Sequence, residues 1–349
     1  MRISDFDYEL PAGLIAQHPL ARRDASRLMI LERRTGGIRE AGVKALADFI
    51  SPGDVLVLNS TRVLPARAWG VKDGADIEFL FLGPDKAHGS WNVLCRPARR
   101  ATRGAVIRFT PRLSARVAAI GDEGRRTLDF GRADIPAFLK RRGYAPLPPY
   151  IRRGKRPDKL RTRDLARYQT VFAKRGRSIA APTAGLHFTP SLLRAIKKRG
   201  GLTAFLSLEV GTATFQPLRS NIVESHVLPA EDCRIPASTA RAVNAAKRGG
   251  RPVMAVGTTV VRALESAARR GEKAGDCVPP GRGRAGVFIY PGFTFRVVDR
   301  MLTNFHLPKS SLFILTAAFA GREFLLEAYR RAVKEKYRFF SYGDCMLIL

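Results

Sequence analysis

Four segments of the chain set glycine, small hydroxyl residues and ionisable groups between apolar runs. That is the composition of open or strained turns, where binding and proton transfer concentrate. Residues 181–189 (APTAGLHFT) hold Pro182 and Gly185, which fix an irregular backbone, with Thr183 and His187 as polar tips. An imidazole there suits proton transfer near neutral pH. The structural alternative is a helix entry, with Thr189 as N-cap and Pro190 at the first helical position. In residues 257–265 (GTTVVRALE), Gly257 turns the chain after a short strand and a helix starts near Thr258. The first N–H groups of that helix, with the Thr258 and Thr259 hydroxyls, would hold a carboxylate, phosphate or ribose hydroxyl. Arg262 and Glu265 share one helix face, so the alternative is an N-cap with a surface ion pair. Residues 303–311 (TNFHLPKSS) put Asn304 and His306 at a strand end. They read as a base-edge or hydroxyl reader beside an imidazole, or as a buried histidine satisfied by backbone. Residues 337–344 (YRFFSYGD) group aromatic rings with Arg338, Ser341, Tyr342 and Asp344. They could stack a base and hold its polar edge, or form a core plug closed by a glycine turn.

Such turns need elements to hold them. DVLVL at residues 54–58 reads as a buried strand, and residues 59–62 turn the chain. Between residues 63 and 150, short apolar segments recur at 77–82, 91–95, 105–109, 115–120 and 126–130, the pattern of a compact antiparallel sheet or barrel. PLPP at 146–149 punctuates its end. Residues 152–163 are basic without apolar periodicity and read as a mobile loop. Beyond residue 168, strand and helix alternate. Helices are expected at 191–199, 238–248 and 258–270, with a long helical region at 310–336 that Gly321 interrupts. Strands are expected at 202–210, 252–256, 287–290, 300–304 and 346–349. The fold predicted is α/β: a mixed-sheet α/β/α main domain from residues 1–62 and 151–349, with a small antiparallel β-barrel-like domain inserted at 63–150.

Composition narrows the partners. The chain has 349 residues, 45% of them hydrophobic, enough for two folded cores. Its 61 Lys and Arg against 30 Asp and Glu leave a net charge of +31, unevenly spread. Residues 96–177 hold 24 basic and 6 acidic residues, a net +18 of that excess. Charge so concentrated fits a polyanion, whose binding releases counterions, or else an arginine-rich solvated surface. Cys95, Cys233, Cys277 and Cys345 stand far apart, as free thiols in a reducing compartment do. Residues 1–10 carry Asp5, Asp7 and Glu9 with no apolar run, so no signal peptide is read there. The longest apolar stretch, 311–321, is too short to span a bilayer. Together these read as a soluble cytoplasmic protein. GRGRAG at 281–286 matches a dinucleotide-binding glycine pattern, but Pro279 and Pro280 precede it and an apolar run follows it, so it reads as a basic loop. None of the five histidines pairs at metal-ligand spacing, and no metal is expected.

The four turns together resemble the motifs of the S-adenosylmethionine:tRNA ribosyltransferase-isomerase family of queuosine biosynthesis. The matching stretches are APTAGLHF at 181–188, GTTVVRALES at 257–266, TNFHLPKSSL at 303–312 and EKYRFFSYGD at 335–344. DFDYELPAGLIAQHP near the N-terminus, NSTRVLPAR at 59–67, LPPYI at 147–151 and RYQTVF at 167–172 are also similar to it. The resemblance implies a reaction in which the ribosyl part of S-adenosylmethionine moves onto the aminomethyl group of a 7-aminomethyl-7-deazaguanine wobble base in tRNA. The ribose is isomerised to an epoxycyclopentanediol, which gives epoxyqueuosine-tRNA, and adenine and methionine leave. It implies an α/β domain with a small β-barrel, a monomer, and no cofactor beyond S-adenosylmethionine, which is itself a substrate.

That chemistry needs general bases and an acid. On this reading His187 and His306 carry protons, and Thr258, Thr259 and Arg262 hold the methionine carboxylate or ribose. Asp344 with Tyr342 reads the deazaguanine edge. Thr183, Gly185, Asn304, Asn59 and Arg62 complete the expected substrate contacts. One stretch departs from the family pattern. Where His-Val-Gly-x-Gly-Thr-Phe is expected the chain reads EVGTATF at 209–215, so Glu209 stands at an imidazole position and Ala213 at a glycine. A carboxylate there would take protons over a different pH range, and Ala213 would resist a positive φ. Two other readings stay open. One is a non-catalytic RNA-binding paralogue. The other is an RNA methyltransferase, against which stands the lack of a Gly-rich nucleotide turn after an early strand. The basic stretch further predicts that RNA affinity falls steeply as salt rises.

Overall fold

The computed structural model describes residues 1–154, 158–211, 218, 220–271 and 277–349. Along the chain run β1 (Arg27–Glu32), β2 (Gly37–Gly42), β3 (Val55–Asn59) and β4 (Thr61–Val63). Then come β5 (Arg67–Lys72), β6 (Ala75–Pro84), β7 (Ser90–Arg96), β8 (Val106–Thr110), β9 (Leu113–Ile120), β10 (Arg125–Asp129) and α1 (Ile135–Arg142). After them follow α2 (Asp158–Arg167), β11 (Arg175–Ser178), α3 (Pro190–Lys198), β12 (Leu202–Leu208), β13 (Glu231–Ile235), α4 (Ala237–Arg248), β14 (Val253–Val256) and α5 (Thr258–Gly271). The last are β15 (Gly281–Ala285), β16 (Arg300–Asn304), α6 (Ser311–Ala320), α7 (Arg322–Lys334) and β17 (Cys345–Ile348). These form two compact units: Met1–Arg62, Pro148–Arg152 and Gln169–Leu349 in one, Val63–Leu147 and Arg153–Tyr168 in the other.

The first unit is built on a nine-stranded sheet, ordered β15-β13-β12-β3-β14-β16-β17-β1-β2. Its centre is parallel, with β3 between β12 and β14 and β14 beside β16, while β16–β17 and both edges are antiparallel. The apolar run at the end of residues 54–58 is explained by burial on both faces. Val55 and Val57 face a core shared with α4 to α7, whereas Leu56 and Leu58 face one shared with α3 and the turn at Val43–Phe49. The sheet is therefore a filling between two helical layers. Asn59 ends β3 inside this packing: its Oδ1 accepts from the Leu208 and Thr61 N–H groups at 3.1 Å and its Nδ2 donates to Leu208 O at 3.0 Å.

The second unit is a closed six-stranded barrel, ordered β10-β7-β6-β5-β8-β9. Alternation sends Ile77, Phe79 and Phe81 of β6 inward, where they meet Val93, Ile107, Val117 and Leu128. Ile135, Phe138 and Leu139 of α1 join that core, and Asp134 caps the helix by accepting from the Ala137 N–H.

Three local readings are corrected. The basic stretch at 152–163 is not a mobile loop over its described part: residues from Asp158 form α2, which belongs with the barrel unit. What fixes it is polar and so left no apolar period to read. Arg153 and Asp164 form a nearly solvent-free pair at 2.8 Å, and Arg161 Nε donates to Gly143 O at 2.8 Å. Next, GRGRA at 281–285 is an edge strand, β15, paired antiparallel with β13, while residues 287–290 are not strand. Arg282 and Arg284 are exposed there, as charged residues on sheet edges commonly are. Since no turn into a helix follows, the glycine pattern cradles no phosphate. Finally, β5, where no apolar segment was read, opens the barrel although its sequence, RAWGVK, gives no clean apolar alternation. The 310–336 region splits into α6 and α7 at Gly321.

No helix among the described residues is long and apolar enough to cross a membrane. Among them no three His, Cys, Asp or Glu side chains converge as a metal site requires.

Candidate active site

All four polar turns send residues to one cavity of the first unit, enclosing about 660 Å³ in part open to solvent. Typical small-molecule sites fall within about 300–1,000 Å³. From the 181–189 turn come Thr183 and Ala184, from the start of α5 Gly257, Thr258 and Thr259, from the end of β16 Thr303, Asn304 and His306, and from the last turn Phe340 and Ser341. Local chemistry explains each position. Thr189 caps α3, its Oγ1 accepting from the Leu192 N–H at 3.1 Å, with Pro190 at the first turn. Gly185 allows close packing, since a Cβ there would sit 2.9 Å from Thr170 Cγ2 and 3.0 Å from Phe172 Cζ. Gly257, at φ +92°, makes the left-handed step from β14 into α5 that other residues resist.

The α5 N-terminus thus meets the cavity through Thr258 and Thr259, at the positive end of a 14-residue helix. Thr259 Oγ1 is buried without a hydrogen-bond partner among the described residues. Asn304 has a similar free end. Its Nδ2 donates to Phe340 O at 3.0 Å and lies 3.3 Å from Asp344 O, and carbonyls accept only, so the amide orientation is set. Its Oδ1 is left as a buried acceptor with no partner among the described residues. An unmet buried acceptor of this kind costs about 1–3 kcal/mol.

The two histidines differ in placement. His306 lines the cavity, held on every side of its backbone: its N–H donates to Tyr329 OH at 2.8 Å and its carbonyl accepts from Tyr8 OH. Its Nε2 lies 2.7 Å from Thr303 Oγ1, also in the wall. His187 is buried behind the wall, with Nε2 3.1 Å from Asn304 Nδ2. The amide can only donate, so Nε2 accepts and the ring proton sits on Nδ1. Burial pushes both imidazoles down, His306 to about 3 and His187 to about 4, the latter helped by nearby Arg23 and Arg338. Both are neutral at pH 7. An unfolded histidine charges near 6.5 while folded His306 stays neutral to about 3, so acid favours unfolding over that window. We expect the stability margin of the wild-type chain over a His306→Gln variant to shrink by about 2 kcal/mol between pH 7 and pH 5. Urea unfolding of both proteins at the two pH values checks this. A constant margin refutes it.

Several residues expected at the site lie elsewhere. Arg262 faces a smaller, separate recess, its guanidinium spent on Glu231 Oε2 at 2.7 Å and Ala285 O at 3.0 Å. Glu265 does not pair with it. That carboxylate accepts from the Arg296, Val297 and Val298 N–H groups, so the surface ion pair is replaced by two buried anchors. Asp344 ties the last turn to β1, accepting from the Arg27 N–H at 2.9 Å and the Arg338 N–H at 2.8 Å, and burial raises its carboxyl. Tyr342 is buried and does not line the cavity. Asn59 is the β3 clamp described above. Arg62 is exposed, its Nε donating to Lys174 O at 3.4 Å. Glu209 is half-buried, with Oε1 accepting from the Arg177 N–H. Its neighbour Val210 lines the cavity, whereas Glu209 does not. Ala213 lies outside the described residues.

Tyr150, Thr303 and Ser310 line the cavity without having been given a role, and Phe340 and Ser341 come from the aromatic segment read as a possible base-stacking surface. Tyr150 and Phe340 stack at 4.6 Å, and Tyr150 OH and Ser341 Oγ share a hydrogen bond of 2.6 Å. Phe340 sits at φ 70°, a strained conformation for an aromatic residue, costing on the order of 1–3 kcal/mol. The signal for Tyr150 was the LPPYI stretch, a rigid turn carrying one aromatic.

The sequence profile described as "Queuosine biosynthesis protein" matches residues 3–348. A protein of Moorella thermoacetica named S-adenosylmethionine:tRNA ribosyltransferase-isomerase is 46% identical over 354 residues, covering 100% of both chains. One of the same name from Citrifermentans bemidjiense is 47% identical over 350 residues, again covering 100% of each. The crystal structure of an S-adenosylmethionine tRNA ribosyltransferase from Thermotoga maritima superposes with a TM-score of 0.55 at 38% identity, covering 99% of this chain and 100% of that one.

Proposed function

The chain belongs to the queuosine biosynthesis protein family, and on that footing we propose that it transfers and isomerises the ribosyl group of S-adenosylmethionine onto the 7-aminomethyl-7-deazaguanine wobble base of tRNA. The product is epoxyqueuosine-tRNA, and adenine and methionine are released. The observation that carries this is the convergence of four separated family motifs on one cavity with a helix N-terminus, a neutral imidazole and two unmet buried polar atoms. S-Adenosylmethionine is a substrate, and the chemistry asks for no metal. We place the enzyme in the cytoplasm, where tRNA and S-adenosylmethionine meet, and take it to act as a monomer.

Each wall group has a task its chemistry suits. The start of α5, with the Thr258 and Thr259 hydroxyls, would hold the methionine carboxylate or ribose hydroxyls, together with Thr183 of the same cavity wall. Arg262, already spent, is left out of that role. The stacked Tyr150 and Phe340 rings give a flat apolar surface for a purine-like base. His306 is the proton carrier. As a neutral imidazole it is in the form that accepts the proton the amine nitrogen sheds once its new bond to the ribosyl carbon has formed. A buried imidazolium is a strong acid, so it hands that proton on readily, and adenine leaves better when protonated. Asn304 Oδ1 accepts from a substrate N–H, and His187 acts through it as a positioning residue.

Release of adenine and methionine in the presence of tRNA bearing the aminomethyl precursor tests the assignment. Binding of that tRNA without release would make the chain a non-catalytic RNA-binding paralogue, and release of S-adenosylhomocysteine would make it a methyltransferase. The roles of Asn304 and His187 have their own test. Asn304→Ala is expected to raise KM about 10- to 100-fold, the worth of a hydrogen bond that fills a buried acceptor. His187→Ala should raise KM in the same substrate with a smaller fall in kcat. A His187 variant that loses kcat at unchanged KM would return the residue to proton transfer.

A further inference from the structure

Exposed arginines gather along the β8–β9 hairpin of the barrel unit. Alternation sends Ile107, Ala115 and Val117 into the barrel, and so turns Val106, Arg108, Ser114 and Arg116 outward. The register sets Val106 beside Arg116 and Arg108 beside Ser114. Arg112 in the hairpin turn and Arg103 just before β8 are exposed as well. Among the described residues these four guanidinium groups make no ion pair or side-chain hydrogen bond. Asp129 lies across from Arg116 on β10, but its Oδ1 accepts from the Gly131 N–H and it makes no ion pair with that arginine. Val106 and Ile120, each 54% exposed, lie on the same hairpin.

Like charges held this close repel, and nothing within the hairpin offsets them. Same-face residues along a strand lie roughly 6.7 Å apart and neighbouring strands about 4.8 Å apart. Arg108 and Arg116 stand on that grid, with Arg103 before β8 and Arg112 in the turn after it, a set that can meet successive backbone phosphates, which arginine binds in bidentate fashion. Exposed Val106 and Ile120 give apolar rests for sugars between the charges. The patch holds no aromatic anchor and too little apolar surface for a protein partner.

We propose that the outer face of the β8–β9 hairpin docks the sugar–phosphate backbone of the tRNA substrate. This rests on the activity proposed above and adds the surface that receives the RNA.

The test uses the full chain with both reaction products measured. Arg108→Glu with Arg116→Glu is expected to weaken tRNA binding at least 30-fold at low salt. The slope of log affinity against log salt should become shallower by about 0.7–0.9 per lost phosphate contact. KM for tRNA should rise while kcat and KM for S-adenosylmethionine stay within twofold, and Arg108→Lys with Arg116→Lys should recover most of the affinity. The same charge change at exposed Arg194 and Arg241 of the other unit should cost less than threefold. Unchanged tRNA affinity and slope in the hairpin variant would overturn the proposal, as would an equal loss in the Arg194 and Arg241 control. Loss of binding to anionic phospholipid vesicles with tRNA binding intact would assign the face to a membrane and overturn it too. Wild-type protein that binds tRNA but releases no adenine would instead overturn the activity, leaving the docking result to stand on its own.

Discussion

A His306→Ala variant is expected to keep its fold and lose about 10²- to 10⁴-fold in turnover, the usual contribution of a positioned proton carrier. His306 lines the cavity from a backbone that Tyr8 and Tyr329 hold in place, with Thr303 Oγ1 on its ring Nε2. Removing it therefore deletes chemistry more than architecture. His306→Gln separates the two effects: the amide can still reach the Thr303 hydroxyl but carries no useful proton. Both variants should bind S-adenosylmethionine within a few-fold of wild type and melt as a single cooperative transition. Their adenine release should fall together. Because burial pushes His306 down to about 3, its protonation leaves the wild-type rate unaffected between pH 6 and pH 8. A rate that drops with an apparent pKa near 6.5, and flattens in the Gln variant, would show an exposed imidazole and defeat the scheme. So would near-normal adenine release by either variant.

The second large effect concerns stability. Glu231→Ala is expected to cost about 3–5 kcal/mol, because it leaves Arg262 as an uncompensated buried charge. The pair spans 2.7 Å with both side chains nearly solvent-free, and Glu231 also accepts from the Gly211 N–H at 2.9 Å. Burial raises the Glu231 carboxyl, against the pull of Arg262 and that N–H. The loss therefore comes from the stranded partner. Replacing both residues, as Glu231→Ala with Arg262→Met, should recover at least half of it. Urea midpoints at pH 7 measure the cycle. A single variant within 1 kcal/mol of wild type, or a double variant as unstable as the single one, would contradict it. The site would feel the same change, since Arg262 belongs to α5, whose first turn lines the cavity, and Gly211 follows Val210 in its wall.

How far the sequence could be read depended on where each signal was stored. Residues that define local geometry are visible in order along the chain. The Thr189–Pro190 helix entry, the Gly257 step into α5 and the apolar run of β3 follow from their own neighbours. The polar turns were recognisable for the same reason, and the structure gathers all four. Elements held by polar contacts at a distance were not legible. The helix α2 depends on Arg153 meeting Asp164, and β15 on the ladder it makes with β13, so neither shows an apolar period of its own.

What the sequence alone determined is the type of chemistry at hand and the order of the elements, because motif composition, caps and periodicity are written in short stretches. Tertiary structure decided which of the polar groups are free to act. Arg262, Asp344 and Asn59 have the right types, yet their hydrogen-bonding atoms are taken up by the fold. Asn304 Oδ1 and Thr259 Oγ1 are not taken up. Whether a buried polar atom has a partner is settled by residues far away in the chain, and only folding brings those partners within 3 Å.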